Sequence, residues 1–83
     1  MNQRKLTESV SSLILEIAPE ADLAQLSPDD DIREELDLDS IDFIRLLEAI
    51  DKEFAINIPE SDYRQVNTLQ SLLDYIDEQL QAE

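Results

Sequence analysis

Three segments of the chain repeat apolar residues at helical spacing, and this repetition constrains the fold more than any other feature. Within each segment, apolar side chains recur three or four positions apart, which gathers them on one face of an α-helix. The three sets are Leu6, Val10, Leu13, Ile14 and Ile17; Phe43, Leu46, Leu47, Ile50 and Phe54; and Leu69, Leu72, Leu73, Ile76 and Leu80. No stretch alternates apolar and polar residues over the length of a strand. The pattern predicts an all-α bundle of amphipathic helices.

Capping and helix-breaking residues give approximate ends for these helices. Pro19 lies just beyond the first helix, Asp39 is a good N-cap for the second, and Pro59 follows its end. Thr68 suits the cap of the last helix, and a short helical turn fits between Pro59 and Thr68. The sequence thus predicts a four-helix bundle, three longer helices plus a short one, in a single domain over 1-83. The expected helices cover about 3-18, 40-54, 60-66 and 68-80, with a long loop between the first two.

The connections between the helices raise two questions of local structure. In the long loop, Ser27 and Pro28 suit the start of a helix, so a short helical turn is expected there. The chain contains no glycine, although helices commonly end on a residue with left-handed backbone. Asn57 and Asn67 are the expected substitutes, because asparagine enters that conformation more readily than most residues.

The charge of the chain is strongly unbalanced. Twenty-one Asp and Glu face six Lys and Arg, for a net charge of −15, and residues 29–42 hold eight acids with Arg33 as their only base. Such a surface repels phosphate backbones and anionic lipid and favours basic partners, so we expect no nucleic acid and no membrane insertion. The chain has no cysteine, no apolar run of membrane-spanning length and no signal-peptide core in "MNQRKLTESV". We therefore expect a cytoplasmic protein.

The residues that catalysis or a dedicated metal site would require are missing. A serine nucleophile needs a base such as histidine, which the chain lacks, and phosphate-binding loops need glycine. Asp29 and Asp31 begin the ligand spacing of an EF-hand loop, but Arg33 takes a ligand position and no glycine follows. We predict no enzyme activity and no metal site beyond weak surface association.

Ser40 stands in the acidic stretch, at the predicted start of the second long helix. Backbone N–H groups and the helix dipole favour an anion there, so a phosphate ester on the Ser40 hydroxyl would be stabilised. A visiting enzyme would then supply the base that the chain lacks. The alternative is that Ser40 only caps the helix, as serine often does. Residue spacing alone leaves both interpretations open.

The sequence around Ser40 resembles the signature of acyl carrier proteins. "LDLDSIDFIRLLEAIDKEF" is similar to the family's Asp-Ser-Leu triplet, followed by an amphipathic helix that ends in Glu-Phe. The similarity continues into "INIPESD" and "NTLQSLLDYI" and extends from about Ile32 to Leu80. The resemblance implies a four-helix bundle whose motif serine, here Ser40, carries 4′-phosphopantetheine derived from coenzyme A.

The same resemblance implies which proteins act on the chain. A phosphopantetheinyl transferase with Mg²⁺ would attach the arm, and the arm's thiol would hold acyl groups as thioesters for enzymes with basic docking surfaces. The family's second helix faces its partners, and the chain is expected to be a monomer. The expected partner-recognition residues are Asp39, which would also help to organise the metal, and Ile41, Asp42, Arg45 and Glu48. Alternatively, Ile41 packs at the edge of the core and Asp42 serves only the helix dipole.

Departures from the family's usual residues indicate a specialised carrier. Asp37 and Ala55 stand where glycine is usual or frequent, and Arg45 and Glu48 stand where an acid and an apolar residue are common. The residues expected to line an acyl pocket are Phe43, Leu47, Ile50 and Tyr63. Because its two aromatic members replace smaller residues, the pocket is expected to shelter long chains poorly. Ordinary core packing is the alternative.

The carrier class leaves the cargo open. The resemblance fits delivery of acyl intermediates in fatty-acid, lipid or secondary-metabolite biosynthesis, with an aminoacyl or D-alanyl carrier as an alternative. An unmodified acidic adaptor of the same fold is a further alternative. Addition of one phosphopantetheine mass, abolished by Ser40→Ala, would separate the carriers from the adaptor.

Overall fold

The structure is a computed structural model that describes residues 3–81 of the chain. The described residues form four α-helices, α1 (Gln3–Ile17), α2 (Ile32–Glu35), α3 (Ser40–Phe54) and α4 (Leu69–Gln81), and two 3-10 helices, Leu23–Gln25 and Glu60–Val66. Within this part of the chain there is no β-strand, only an isolated bridge between Asp31 and Thr68. None of these helices is long and apolar enough to cross a membrane. The predicted all-α bundle, with three longer helices and a short one at 60–66, is confirmed.

The apolar stripes of the three long helices meet in one buried cluster. The fully buried side chains are Leu6, Val10 and Ile14 of α1, Leu46, Leu47 and Ile50 of α3, Leu72 and Ile76 of α4, and Ile32 and Val66 from the connections. Helix α1 packs against both α3 and α4. Burial of each large aliphatic side chain stabilises the fold by about 1.5–3 kcal/mol. Packing of the stripes therefore holds the bundle together, rather than helix propensity alone.

Side-chain caps fix where α3 and α4 begin. Asp39 Oδ1 accepts a hydrogen bond from the Asp42 N–H at 2.8 Å, and Thr68 Oγ1 accepts one from the Ser71 N–H at 3.1 Å. Ser71 Oγ in turn accepts the Thr68 N–H at 3.1 Å, which makes a reciprocal pair of the capping-box kind. Both predicted caps are confirmed.

The short helical segments of the long loop lie on either side of the predicted position, in the 3-10 helix Leu23–Gln25 and in α2. Residues 27–30 form a turn in which the Asp30 N–H donates to the Ser27 carbonyl at 3.0 Å and the Ser27 N–H donates to the Asp30 carboxylate at 2.9 Å. Helix α2 follows, with Asp31 as its cap. The position of α2 has a tertiary cause: Ile32 is fully buried, and its N–H donates to the Asn67 carbonyl at 2.9 Å, which ties α2 to the start of α4.

The left-handed residues are Asp37 and Ala55, so the prediction of Asn57 and Asn67 was wrong. Asp37 has φ 55° and Ala55 has φ 54°, and no other described residue has positive φ. Asn67 is right-handed helical, with φ −80°. Ala55 directly follows α3, where its N–H caps the Asp51 carbonyl. The chain therefore turns at Ala55, two residues before Asn57. Asp37 stands where the family usually has glycine, and Ala55 stands where it often has glycine or a small polar residue.

Candidate functional site

Ser40 is the first residue of α3, and its side chain is exposed. The capping role belongs to Asp39, whose carboxylate accepts the Asp42 N–H and whose carbonyl accepts the Phe43 N–H at 3.1 Å. The Ser40 hydroxyl makes no hydrogen bond to any residue between 3 and 81. Ser40 is therefore not needed as a cap, and its oxygen is available for a bond to another molecule.

A cleft of about 400 Å³ opens beside Ser40. It lies between the start of α3, the residues around α2 and the 3-10 helix Glu60–Val66. Its lining residues are Asp31, Arg33, Ser40, Phe43, Ile44, Tyr63, Arg64 and Asn67. The volume falls at the low end of the range for small-molecule sites. A group attached to Ser40 would thus start at the edge of a preformed hollow.

Two of the four predicted acyl-pocket residues line this cleft. Phe43, which is only 5% exposed, and the half-buried Tyr63 form part of its wall. Leu47 and Ile50 do not border it; both are fully buried in the core between the helices. The acyl-lining role of all four remains a prediction. The structure adds that the cleft lining combines Phe43, Ile44 and Tyr63 with polar and charged side chains.

Sequence reasoning missed the basic residues of the cleft. The Arg33 guanidinium lies over the Phe43 ring, with 6.0 Å between its carbon and the ring centroid, and Arg64 also lines the cleft. Only the folded chain brings these residues together, because one belongs to α2 and the other to the 3-10 helix. One signal was present in the sequence: Arg33 is the only base among the eight acids of residues 29–42.

The predicted partner-recognition residues lie on the outer surface around Ser40. Ile41 is 60% exposed, which excludes the edge-of-core alternative. Asp39, Arg45 and Glu48 are exposed, and Asp42 is half-buried. An exposed isoleucine beside acidic side chains is suited to a partner with an apolar contact and a basic rim. Their role in recognition stays a prediction.

Hydrogen bonds of Tyr75 and Asp51 tie the 3-10 helix Glu60–Val66 and the residues just before it to the long helices. The Tyr75 hydroxyl donates to Asp62 Oδ2 at 2.8 Å, and burial, followed by this bond, raises the Tyr75 pKa to about 12. Asp51 Oδ1 accepts the Ile58 N–H at 3.2 Å, and burial raises the Asp51 pKa. Burial, with the nearby Asp51 charge, also raises the Tyr63 pKa. These contacts fix one side of the cleft. Among residues 3–81, no group of three or more carboxylates could hold a metal ion.

Comparison with known proteins identifies the family. The sequence model described as "Phosphopantetheine attachment site" matches residues 6–76. An acyl carrier protein of Thermosynechococcus vestitus is 31% identical over 85 residues, which cover 99% of this chain and 100% of that protein. An acyl carrier protein of Buchnera aphidicola is 39% identical over 75 residues, which cover 90% of each chain. The chain therefore belongs to the acyl carrier protein family, whose cofactor is 4′-phosphopantetheine.

Proposed function

We propose that Ser40 is the attachment point of 4′-phosphopantetheine and that the chain delivers acyl intermediates to partner enzymes. The observation that carries this proposal is the Ser40 hydroxyl, exposed and free of hydrogen bonds to residues 3–81 at the start of α3. It lies within the region that the family model matches and at the edge of a cleft. When bound, the arm's thiol carries acyl groups as thioesters. The pathways in question are fatty-acid, lipid or secondary-metabolite biosynthesis.

The attachment step uses only one reacting group of this chain. The Ser40 oxygen bonds to the β-phosphorus of coenzyme A, the bond from that phosphorus to the adenosine-bearing phosphate breaks, and adenosine 3′,5′-bisphosphate leaves. The hydroxyl proton passes to a base of the phosphopantetheinyl transferase, because no histidine is present in the chain. Asp39 Oδ1 is engaged by the Asp42 N–H, which leaves Oδ2 for the Mg²⁺ of the transferase. The start of α3 stabilises the new phosphodiester anion.

The surface around Ser40 supports docking of enzymes with basic patches. Ile41 supplies an exposed apolar contact, and Asp39, Asp42 and Glu48 supply negative charge. Basic partners would be steered by the net charge of −15, so their association should slow as salt rises. Within this proposal the chain acts as a monomeric single domain in the cytoplasm.

The cleft supports a cargo that is short or polar rather than a long saturated chain. Phe43 and Tyr63 occupy its wall, and the side chains of Leu46, Leu47 and Ile50 fill the core behind it. A long alkyl chain would have to displace these packed residues, and opening a closed core costs free energy. Cargo of this kind includes the aminoacyl and D-alanyl groups that the sequence left as alternatives.

Mass spectrometry of the intact protein tests the attachment. Incubation with coenzyme A, Mg²⁺ and a broad-specificity phosphopantetheinyl transferase should add one phosphopantetheine mass. Ser40→Ala should abolish the addition, whereas Ser61→Ala, at an exposed serine on the 3-10 helix, should leave it intact. Failure with several transferases would instead favour the unmodified acidic adaptor. Retention of the added mass by Ser40→Ala would show that another residue is modified.

A further inference from the structure

The cleft beside Ser40 concentrates positive charge in a protein that has little of it. Arg33 and Arg64 are two of only six Lys and Arg in a chain of net charge −15, and both line this one hollow. Neither guanidinium forms an ion pair with a carboxylate anywhere in the described range 3–81. Two guanidinium groups thus border a cleft whose lining includes one carboxylate, and this arrangement favours an anionic occupant.

The carboxylate that shares the cleft is already engaged. Asp31 is the only acid among the lining residues. Its Oδ1 accepts the Glu34 N–H at 3.1 Å, and its Oδ2 accepts the Asn67 side-chain amide at 3.3 Å. It therefore serves to cap α2 and to tie the loop to Asn67. The N–H groups of Arg33 and Arg64 form no hydrogen bond with any residue of 3–81, so they can bind an anion.

The Arg33 side chain is exposed but contacts one residue of the cleft wall. Its guanidinium lies over the ring of Phe43, 6.0 Å from the centroid, in a cation–π contact. Phe43 is three residues after Ser40 on α3, so the two side chains project from the same side of that helix. The contact thus places positive charge next to the first turn of α3, where the Ser40 hydroxyl also meets the cleft.

We propose that Arg33 and Arg64 form a binding site for the phosphodiester that joins the arm to Ser40. This inference rests on the proposed attachment at Ser40 and goes beyond it, because it gives the arm a docked position along the cleft. The phosphodiester is the anion that modification creates at the cleft edge, and a guanidinium pairs with phosphate oxygens through two N–H groups. Without such a site, one more negative charge beside Asp37, Asp39 and Asp42 would add to the repulsion in an already acidic protein.

The effect of modification on thermal stability tests the inference. We expect the modified native protein to melt about 3–6 °C above the unmodified protein at low ionic strength, from two exposed charge-assisted contacts in a domain of this size. The gain should disappear in the double variant R33Q/R64Q and persist in R4Q/K52Q, which removes the same charge from exposed positions on α1 and α3 outside the cleft. High salt should reduce it. Because each variant is compared with its own unmodified form, a loss of folding stability caused by the substitution itself cancels.

The ³¹P NMR resonance of the arm gives a second measurement. Its position should shift between the native protein and R33Q/R64Q and stay unchanged in R4Q/K52Q. Equal or lower melting temperature on modification, with a resonance that is the same in all three proteins, would overturn the docked arm while leaving Ser40 as the attachment point. A gain that appears only after loading with a carboxylate-bearing acyl group would assign the arginines to the cargo and also overturn it. Absence of the added mass at Ser40 would overturn both proposals together.

Discussion

Replacing Ala55 by glycine should stabilise the protein. Ala55 ends α3 with φ 54° and ψ 43°, and its N–H donates to the Asp51 carbonyl. In that left-handed conformation its Cβ crowds the following carbonyl oxygen, a cost that glycine does not have. The Ala55 side chain is exposed, so removing its methyl group leaves no cavity. The substitution changes backbone strain and almost nothing else.

The size of the effect follows from two opposing contributions. Relief of the left-handed strain is worth about 1–2 kcal/mol. Glycine also gives the unfolded chain more freedom, which opposes folding by about 0.4–1 kcal/mol. At the midpoints of these two ranges the net stabilisation is about 0.8 kcal/mol, and in a domain of this size that raises the melting temperature by about 3–6 °C.

Thermal and urea unfolding followed by far-UV circular dichroism would measure the change. Ala49→Gly is the matched control, because Ala49 lies inside α3, where the same substitution should cost about 1 kcal/mol. The two variants should therefore move the midpoint in opposite directions. If Ala55→Gly lowered the midpoint as Ala49→Gly does, the left-handed end of α3 and the reasoning from it would be refuted.

Three further outcomes are expected. Ile41→Ala should raise the KM of the transferase for this protein several-fold while leaving the melting temperature within about 1 °C, because the side chain is 60% exposed; an unchanged KM would remove Ile41 from the docking surface. Tyr75→Phe should cost about 1 kcal/mol at neutral pH by breaking the bond to Asp62. Because folding raises the Tyr75 pKa from 10.0 to about 12, the stabilising contribution of Tyr75 is full below pH 10 and is lost as the pH rises toward 12. Urea unfolding at a series of pH values should therefore show that Tyr75→Phe loses less stability at alkaline pH than the native protein does. An identical loss in the two proteins would contradict the assignment. A series of acyl groups of increasing length on the arm should shift the NMR resonances of Phe43 and Tyr63, and the longer acyl chains should not be buried more deeply than the shorter ones. Deep burial of long saturated chains would contradict the preference for short or polar cargo.

The long helices and their caps were predictable because the information is local. A buried face repeats every three or four residues along α1, α3 and α4, and a cap such as Asp39 bonds an N–H only three residues away. Helix α2 has four residues, too few to show a period. Its place is set instead by burial of Ile32 and by the bond to Asn67, which depend on packing against a distant segment.

The left-handed residues and the basic cleft were not predictable from residue preferences. Neither Asp37 nor Ala55 is the residue that intrinsic preference for left-handed backbone would select over asparagine, so the wrong positions were chosen. Arg33 and Arg64 meet only after the chain folds, and a helical pattern carries no information on which loop residues will face one another. The position of Ser40, by contrast, followed from a contiguous motif and from the Asp39 cap beside it.

The central claim is that Ser40 carries the arm, and peptide mapping tests it most directly. Trypsin cleavage after Arg33 and Arg45 releases the peptide "EELDLDSIDFIR", in which Ser40 has the only hydroxyl group. After treatment with transferase and coenzyme A, tandem mass spectrometry should find one phosphopantetheine mass on this peptide and none on the others. An unmodified 34–45 peptide together with an added mass elsewhere would contradict the claim, and so would no added mass on any peptide.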